Sequence, residues 1–559
     1  MPDTNANGSI YAARPWLKHY DYWVRRNLSY PGRPLYEILS TTAVETPDAD
    51  ATAFLGATLS YRELKRRTDR LAAGLVRLGV VKGDRVGVML PNCPQYVISA
   101  FATLRLGAVV VNINPIYTSR ELMSVADDSG IKVLITLDRL APLAHDVCGQ
   151  THLQHVVVTS LGEYSAEQAP PPRVEPALAF SDLIAMDDGS DLPRVAIAPD
   201  DLAVLQYTGG TTGTPKAAML THANIFANVV QNETWHYRTY HRGEGRYLVV
   251  IPYFHIYAFT VCMMTGVWVG GLQIIIPKYD VEAVLAAIRD FQPTYFPAVP
   301  TVYVSLLAHP KVKDYNLDQV RTFNTGGAPC PIEVIEEFET RIGRTLNEGY
   351  GLSETSPVTH STPHLGRRKP GTIGLPMPDT DFKIVDVETG ANEMPLGESG
   401  ELCICGPQVM KGYWRKPDES ANVLREDADG RVWFHTGDVA TMDADGYTSI
   451  VQRKKDMIIV DGFNVYPSEV EGVLYTHTAV RMVAVIGIPD KYHGEVVKAC
   501  VVPRDADVSV DELRAYCKKN LAAYKVPTEI ELRDSLPQST VGKILYRVLR
   551  DEAARKPVS

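Results

Sequence analysis

Between residues 207 and 216 the chain reads Tyr207-Thr208-Gly209-Gly210-Thr211-Thr212-Gly213-Thr214-Pro215-Lys216. Three glycines let backbone N–H groups approach an anion closely, four threonines add hydroxyl donors, and Lys216 adds a positive charge. The run follows the apolar stretch Leu202–Gln206, so a strand should end where this loop begins. That is the chemistry of a phosphate cradle. It is not a Walker A loop, because Pro215 rather than a glycine precedes the lysine. A plain surface turn needs one or two glycines and has no use for this density of hydroxyls.

Gly349-Tyr350-Gly351-Leu352-Ser353-Glu354 sets an aromatic ring between glycines, then a hydroxyl and a carboxylate. These residues offer a stacking plate for a base, a phosphate donor and a hard oxygen ligand for Mg²⁺; a turn leading into a capped helix accounts for them equally well. Phe434-His435-Thr436-Gly437-Asp438 places a carboxylate beside a glycine, suited either to a pair of ribose hydroxyls or to an ordinary turn. Lys543 stands in a turn ahead of a helix, where a lysine by itself reads as solvated. There is no G-x-S-x-G nucleophile elbow and no H-E-x-x-H pair. His360 and His364 are spaced i,i+4, but Pro363 between them argues for loop residues.

The elements that must position these groups follow from periodicity. Tyr61–Leu78 and Gln95–Leu106 read as amphipathic helices, and Arg85–Met89 and Ala108–Ile113 as short apolar strands. The alternation resumes through the strand Leu202–Gln206 and the helices Ala223–Val230, Val281–Phe291 and Ile332–Ile342, which predicts parallel sheets covered on both faces. Residues 247–277 carry no Asp, Glu, Lys or Arg, long enough for a membrane span. Pro252, His255 and Gly270-Gly271 break this run into two short strands with a helix between them, Leu248–Ile251 and Gln273–Ile276 being the strands. The stretch 165–195, with three consecutive prolines, reads as an irregular surface connection. Beyond Gly371 short strands such as Asp381–Val387 and Gly400–Cys405 alternate with turns and suggest a small β-rich unit. After the charged run 453–456 come a helix Ser468–Tyr475, strands Val480–Ile486 and Ala499–Val502, and a helix Val510–Leu521, an independent α+β unit. The fold class is therefore α/β: a large N-terminal domain over 1–452 with its β-rich part at about 371–450, a junction at 453–456, and a small α+β domain over 457–559.

The chain has 559 residues, of which 45% are hydrophobic and 22% charged, which excludes a disordered or collagen-like protein. A net charge of −10 gives no reason to expect a nucleic-acid partner. The opening residues are polar and lack the apolar core of a signal peptide. Eight scattered cysteines include no C-x-x-C pair and read as reduced thiols of a cytoplasmic protein. Cys403 and Cys405 alternate as neighbours on one face of a strand, with no histidine or second pair to complete a zinc set.

Taken in order, these blocks resemble those of the adenylate-forming superfamily: acyl-CoA synthetases, luciferases and peptide-synthetase adenylation domains. The resemblance runs from about Leu35 to Glu552, and includes Arg453–Glu471 and Gly542-Lys543. The overall look is that of bacterial long-chain fatty acyl-CoA ligases, from Arg14-Pro15-Trp16-Leu17-Lys18 through Gly462-Phe463-Asn464-Val465-Tyr466-Pro467. It implies ligation of a long-chain fatty acid to CoA, driven by ATP with Mg²⁺ through an acyl-AMP. In that scheme the Thr208–Lys216 loop (Thr208, Gly209, Gly210, Thr211, Thr212, Gly213, Lys216) would hold the β- and γ-phosphates, with Thr208 and Glu354 near Mg²⁺. Gly327, Ala328 and Tyr350 would form the adenine slot, Ser353 would touch the α-phosphate, and Asp438 and Arg453 would hold the ribose. Lys543 would bridge the carboxylate and α-phosphate, Lys455 would be the hinge of a mobile C-terminal domain, and Gly462 would line the pantetheine channel. His255 would lie beside the acyl and thiol paths.

Two positions depart from the commoner family pattern: Ser353 replaces a threonine and keeps its donor, and Lys455 replaces an aspartate, as in long-chain ligases. The apolar, Met-containing stretch from Phe259 to Val267 suits a flexible acyl chain or plain core. Aryl acids of the 4-coumarate kind, or medium-chain acids, are the alternative substrates. An amino-acid-activating domain is disfavoured, because 256–260 carries no aspartate to clamp an amine. A luciferase-like oxygenase, an acyl-AMP ligase serving a carrier protein and a non-catalytic nucleotide binder are further alternatives. Peripheral contact with a membrane and a homodimer are both compatible with this reading.

Overall fold

The computed structural model describes residues 9–186, 189–208, 216–238, 241–460, 463–490, 493–504, 508–539 and 542–555. Two large sheets form its body. The seven-stranded sheet runs in the order Leu178–Ala179, His155–Thr159, Val133–Leu137, Arg85–Met89, Val109–Asn112, Leu202–Thr208, Lys216–Thr221. The nine-stranded sheet runs Leu375–Pro376, Val358–Ser361, Leu346–Gly351, Thr322–Thr325, Tyr295–Ala298, Arg246–Val249, Leu272–Ile275, Asp50–Phe54, Ala57–Ser60. Inner strands are parallel, as the strand–helix alternation predicts. Antiparallel strands close the edges where the connection is too short for a crossover, as between Phe54 and Ala57 or Thr208 and Lys216.

Burial explains the helices that cover these sheets. In Tyr61–Arg77 the buried Leu64, Thr68, Leu71 and Leu75 recur every three or four residues, and the Ser60 hydroxyl caps the first turn by accepting from the Glu63 N–H at 3.2 Å. Helices Val281–Phe291 and Ile332–Ile342 have the ends that periodicity predicts.

The stretch 165–195 differs from expectation. Leu178–Ala179 adds a strand to the sheet edge, and helix Phe180–Ala185 buries Phe180 and Leu183 fully. Those few apolar residues decide the outcome over the prolines before them. His360 also departs from its reading as a loop residue: it sits fully buried in strand Val358–Ser361. The uncharged run 247–277 folds as a buried strand–helix–strand. Its helix is π-wound over Ala258–Met264, all seven residues buried, before one α-turn at Thr265–Trp268. Among the described residues no helix is long and apolar enough to cross a membrane.

A five-stranded antiparallel sheet follows, built from Asp381–Val385, Gly400–Cys405, Val432–Met442, Leu424–Glu426 and Thr448–Arg453. Trp16 fixes the N-terminal segment to it, its ring 4.8 Å from Phe382 and its backbone against Gly446. Past the single turn Lys454–Asp456 a second five-stranded sheet assembles around Val480–Asp490 and Gly494–Pro503. Helices Pro467–Tyr475, Val510–Asn520 and Tyr546–Arg555 accompany it. Its core of Leu474, Val483, Val485, Val501 and Leu513 is separate from that of the body.

Candidate active site

The polar motifs converge where the inner parallel strands end, the usual place for a ligand crevice in such sheets. Thr208 closes one strand and Lys216 opens its antiparallel neighbour, the two paired in register, with the Thr208 hydroxyl donating to the Lys216 carbonyl at 3.2 Å. Gly209, Gly210, Thr211, Thr212 and Gly213 lie outside the described residues. The strands on either side of the phosphate-type segment thus pair antiparallel, a different support from the strand followed by a helix of a Walker loop.

Segment 410–414 pairs with the strand Lys216–Thr221 through Met219 N–H to Gly412 O and Trp414 N–H to Ala217 O, both 2.9 Å. This brings Tyr413 into the site. Its hydroxyl donates to Glu354 Oε1 at 2.8 Å, and Lys216 Nζ lies 5.5 Å from its ring centre and 2.6 Å from Glu419 Oε2. Neither Tyr413 nor Glu419 figures in the sequence reading. The available signal was an aromatic pair following a glycine, Gly412-Tyr413-Trp414.

Tyr350 and Ser353-Glu354 flank the end of strand Leu346–Gly351. Gly351 is required there, because a Cβ would stand 2.1 Å from the Pro357 carbonyl oxygen. The neighbouring strand Thr322–Thr325 ends in Gly326-Gly327-Ala328, with Gly327 at φ +81°. A Cβ on Gly326 would lie 3.0 Å from the Gly349 carbonyl, so the two strand ends touch. Tyr350 donates its hydroxyl to Asp438 Oδ2 at 2.5 Å, and Arg453 Nε meets Asp438 Oδ1 at 3.0 Å. Asp438 and Arg453 are register partners across adjacent strands. Asp438 holds the Arg453 guanidinium above its ordinary pKa, and burial, with Asp438 second, holds the Tyr350 phenol well above its own. Glu401, absent from the sequence reading, accepts the Gly437 N–H at 3.1 Å and pairs with Lys454 at 3.4 Å.

His255 follows Pro252, with its N–H closing a turn onto the Pro252 carbonyl at 2.9 Å. Burial, and then the charge of Lys543, push its pKa down to about 4. Its Nδ1 accepts the Tyr257 N–H at 3.2 Å, so the neutral ring carries its proton on Nε2. Lys543 reaches this place because its neighbour Gly542 packs on helix Pro300–Ala308: a Cβ on Gly542 would stand 2.3 Å from Thr301 Oγ1. Ser539 N–H donates to Lys543 O at 2.8 Å. Phe259 is fully buried in the π-wound segment. The Lys455 backbone lies in the turn Lys454–Asp456. Its side chain and Gly462 fall outside the described residues.

A single carboxylate, Glu354, with the hydroxyl of Thr208 is a hard-oxygen set too sparse for an all-protein cage. It fits Mg²⁺, which usually keeps waters and takes phosphate oxygens beside one or two carboxylates. Among the described residues no three His, Cys, Asp or Glu side chains converge as a metal site.

The chain matches the AMP-binding enzyme family over residues 39–414 and the AMP-binding enzyme C-terminal domain over residues 469–543. A long-chain-fatty-acid–CoA ligase of Bacillus subtilis (strain 168) is 42% identical over 563 residues, covering 97% of this chain and 99% of that one. A feruloyl-CoA synthase of Amycolatopsis sp is 39% identical over 508 residues, covering 90% and 96%. ATP-bound MatB from Rhodopseudomonas palustris superposes with a TM-score of 0.84 at 29% identity, covering 94% of this chain and 99% of that one. With the family matched over most of its length and a relative this similar from end to end, the chain belongs to the AMP-binding, adenylate-forming enzymes.

Proposed function

We propose that this enzyme ligates a long-chain fatty acid to CoA in two steps at one site. The acid's carboxylate attacks the α-phosphorus of ATP, giving acyl-AMP and pyrophosphate; the CoA thiol then attacks the acyl carbon, giving the thioester and AMP. A free carboxylate is a poor electrophile because its leaving group would be oxide, whereas AMP leaves readily. The protein's task is then placement and charge neutralisation, with no covalent nucleophile of its own.

The observations that support this reading are the charge of Lys543 acting on a buried, neutral His255, the Asp438–Arg453 pair that Tyr350 joins, and the antiparallel pairing of Thr208 with Lys216. Lys543 supplies one positive charge between carboxylate and α-phosphate, and His255 offers Nε2–H as a donor. Asp438 and Arg453 hold the ribose, and Gly327, Ala328 and Tyr350 the adenine. Ser353 contacts the α-phosphate. Thr208, Gly209, Gly210, Thr211, Thr212, Gly213 and Lys216 hold the β- and γ-phosphates. Thr208 and Glu354 would hold Mg²⁺, which supplies charge neutralisation at the phosphates. Phe259 and its buried neighbours support an apolar acyl path, and the length-wide similarity to a fatty-acid ligase supports the same substrate.

The division at 453–456 is proposed as a hinge at Lys455, with residues 457–559 as a mobile cap that brings Gly462 to the pantetheine path in the second step. The reading places the enzyme in the cytoplasm, in agreement with eight free cysteines. Peripheral contact with a membrane, into which a long-chain acid partitions, and a homodimer are both compatible with it.

The test is pyrophosphate release with ATP and Mg²⁺ across acetate, octanoate, palmitate, oleate, benzoate and 4-coumarate, each with and without CoA. A maximum at palmitate or oleate, with turnover that needs CoA, is expected. A maximum at 4-coumarate would move the substrate to the aryl class of the feruloyl relative. Lys543→Ala should lower acyl-AMP formation by about 10²–10³ and leave thioester formation from supplied acyl-AMP nearly intact. Equal losses in both steps would remove Lys543 from the first.

A further inference from the structure

A file of buried polar side chains joins the strand beneath the phosphate-type loop to the segment that carries His255. Gln206, two residues before Thr208, sends Nε2 to the Phe254 carbonyl at 3.2 Å. Asn112, on the adjacent strand in register with Gln206, donates Nδ2 to Gln206 Oε1 at 2.9 Å, and the Tyr96 hydroxyl donates to Asn112 Oδ1. All three residues are buried. The direction of the file is forced from its far end. A carbonyl only accepts, so Gln206 must present its NH₂ to Phe254, Asn112 its NH₂ to Gln206, and Tyr96 its O–H to Asn112.

The same segment is braced from a second side. Asn92 Oδ1 accepts the Tyr253 N–H at 2.7 Å while Asn92 Nδ2 donates to Ile251 O at 3.0 Å. The Tyr253 ring stacks on Tyr96 with centroids 5.4 Å apart. Residues on both sides of His255 are thereby fixed: Tyr253 and Phe254 by this network, and Tyr257 N–H by the imidazole itself. A core built for stability alone would place apolar side chains at these positions, since each buried amide must be fully satisfied to avoid a penalty.

We propose that Gln206, oriented by Asn112 and Tyr96, is a positioning residue for His255. It holds the Phe254 carbonyl, and with it the imidazole, at a fixed place relative to the strand that ends at Thr208. The role rests on the acyl-adenylating function proposed above.

Two variants test it by different routes. Gln206→Met keeps the volume and removes the donor to Phe254. Asn112→Asp lies one residue further from the site. It leaves Gln206 in place, but its carboxylate cannot donate to Oε1, so the Gln206 amide must turn and present oxygen to the Phe254 carbonyl. With palmitate, ATP and Mg²⁺, each variant should lower kcat for acyl-AMP formation by about 10–100-fold, the scale set by roughly 1 Å of misplacement. KM for ATP should stay within about twofold of wild type, because the adenine and ribose contacts are untouched. The double variant should be no slower than Gln206→Met alone, since no amide remains to turn. Melting temperatures measured alongside separate folding from placement. Lowered melting temperatures with kcat intact would make the network purely structural, and losses that multiply in the double variant would show Asn112 acting without Gln206. Either result overturns the inference. Wild-type enzyme inactive on every acid would instead overturn the function on which it rests.

Discussion

Buried titratable groups set the pH behaviour of this protein, and they pull in opposite directions. Desolvation pushes the Glu471 carboxyl up to about 7, against the lowering influence of the Val485 N–H at 2.7 Å and the Tyr546 hydroxyl at 3.0 Å. Glu348 is likewise pushed up to about 7 by burial. A carboxyl raised in the native state keeps its proton where the unfolded chain releases it. Its contribution is complete below about pH 4.5 and is lost as pH rises towards 7. Burial acts in the reverse sense on His222, His255 and His364, held down to about 4, and on His360, held to about 3. Their contribution is complete above about pH 6.5 and is lost as pH falls towards 4. Glu471→Gln, which mimics the protonated acid and keeps the acceptor for both partners, should therefore raise stability at pH 8 by roughly 1–3 kcal/mol and leave it nearly unchanged at pH 4.5. Thermal melts at the two pH values decide the matter: an equal gain at both would mean that ionisation of Glu471 is not the cause.

At the scale of elements, backbone geometry at a few glycines matters as much as side chains. Gly351 joins the strand bearing Tyr350 to the turn bearing Ser353 and Glu354, and the Pro357 carbonyl fills the space a side chain would need. Gly351→Ala should push the turn 353–357 away, carrying Glu354 off Tyr413, with activity reduced by more than about tenfold. Gly472, inside helix Pro467–Tyr475, has nothing within 4 Å of a hypothetical Cβ. Gly472→Ala should instead stabilise by about 0.5–1 kcal/mol through helix propensity. Activity and melting temperature of the pair, measured together, would expose an error if both variants behaved alike. The contrast also shows what the sequence reveals. Amphipathic helices such as Ile332–Ile342 are legible because one turn repeats the pattern of the last, and the Thr208–Lys216 block because its composition has few other uses. Tyr413 and Glu401 are not, since each reaches the site through pairing with residues distant in the chain. Gln206, Asn112 and Tyr96 read as ordinary members of their strands and helix until the carbonyl they serve is seen. The strand at Leu178–Ala179 is hidden for a related reason: two residues carry no period, and the sheet edge supplies the partner.

For the whole molecule the decisive feature is that a lysine of the small C-terminal unit lies beside a histidine of the body. Among the described residues, Gly542 packs against Thr301, Ser468 bonds to the Val451 carbonyl, and Arg550 pairs with Asp456 at the start of the unit. If the first step needs the cap as seen and the second needs it turned, then pinning it should separate the two. A Cβ on Gly542 would lie 3.3 Å from that of Thr301, just short of the roughly 3.5–4.5 Å span of a disulfide, so a shift of a few tenths of an ångström allows the bond. Gly542 has φ +70°, so a cysteine there bears some strain, about 1–2 kcal/mol. In the variant Thr301→Cys/Gly542→Cys the reduced protein should complete the full reaction. Oxidation should leave one round of acyl-AMP formation and stop CoA-dependent turnover, and dithiothreitol should restore it. A quench assay that counts acyl-AMP and thioester separately reads both steps. Undiminished thioester formation by the cross-linked enzyme would show that one arrangement serves both steps, and the cap would then be a fixed wall of the site.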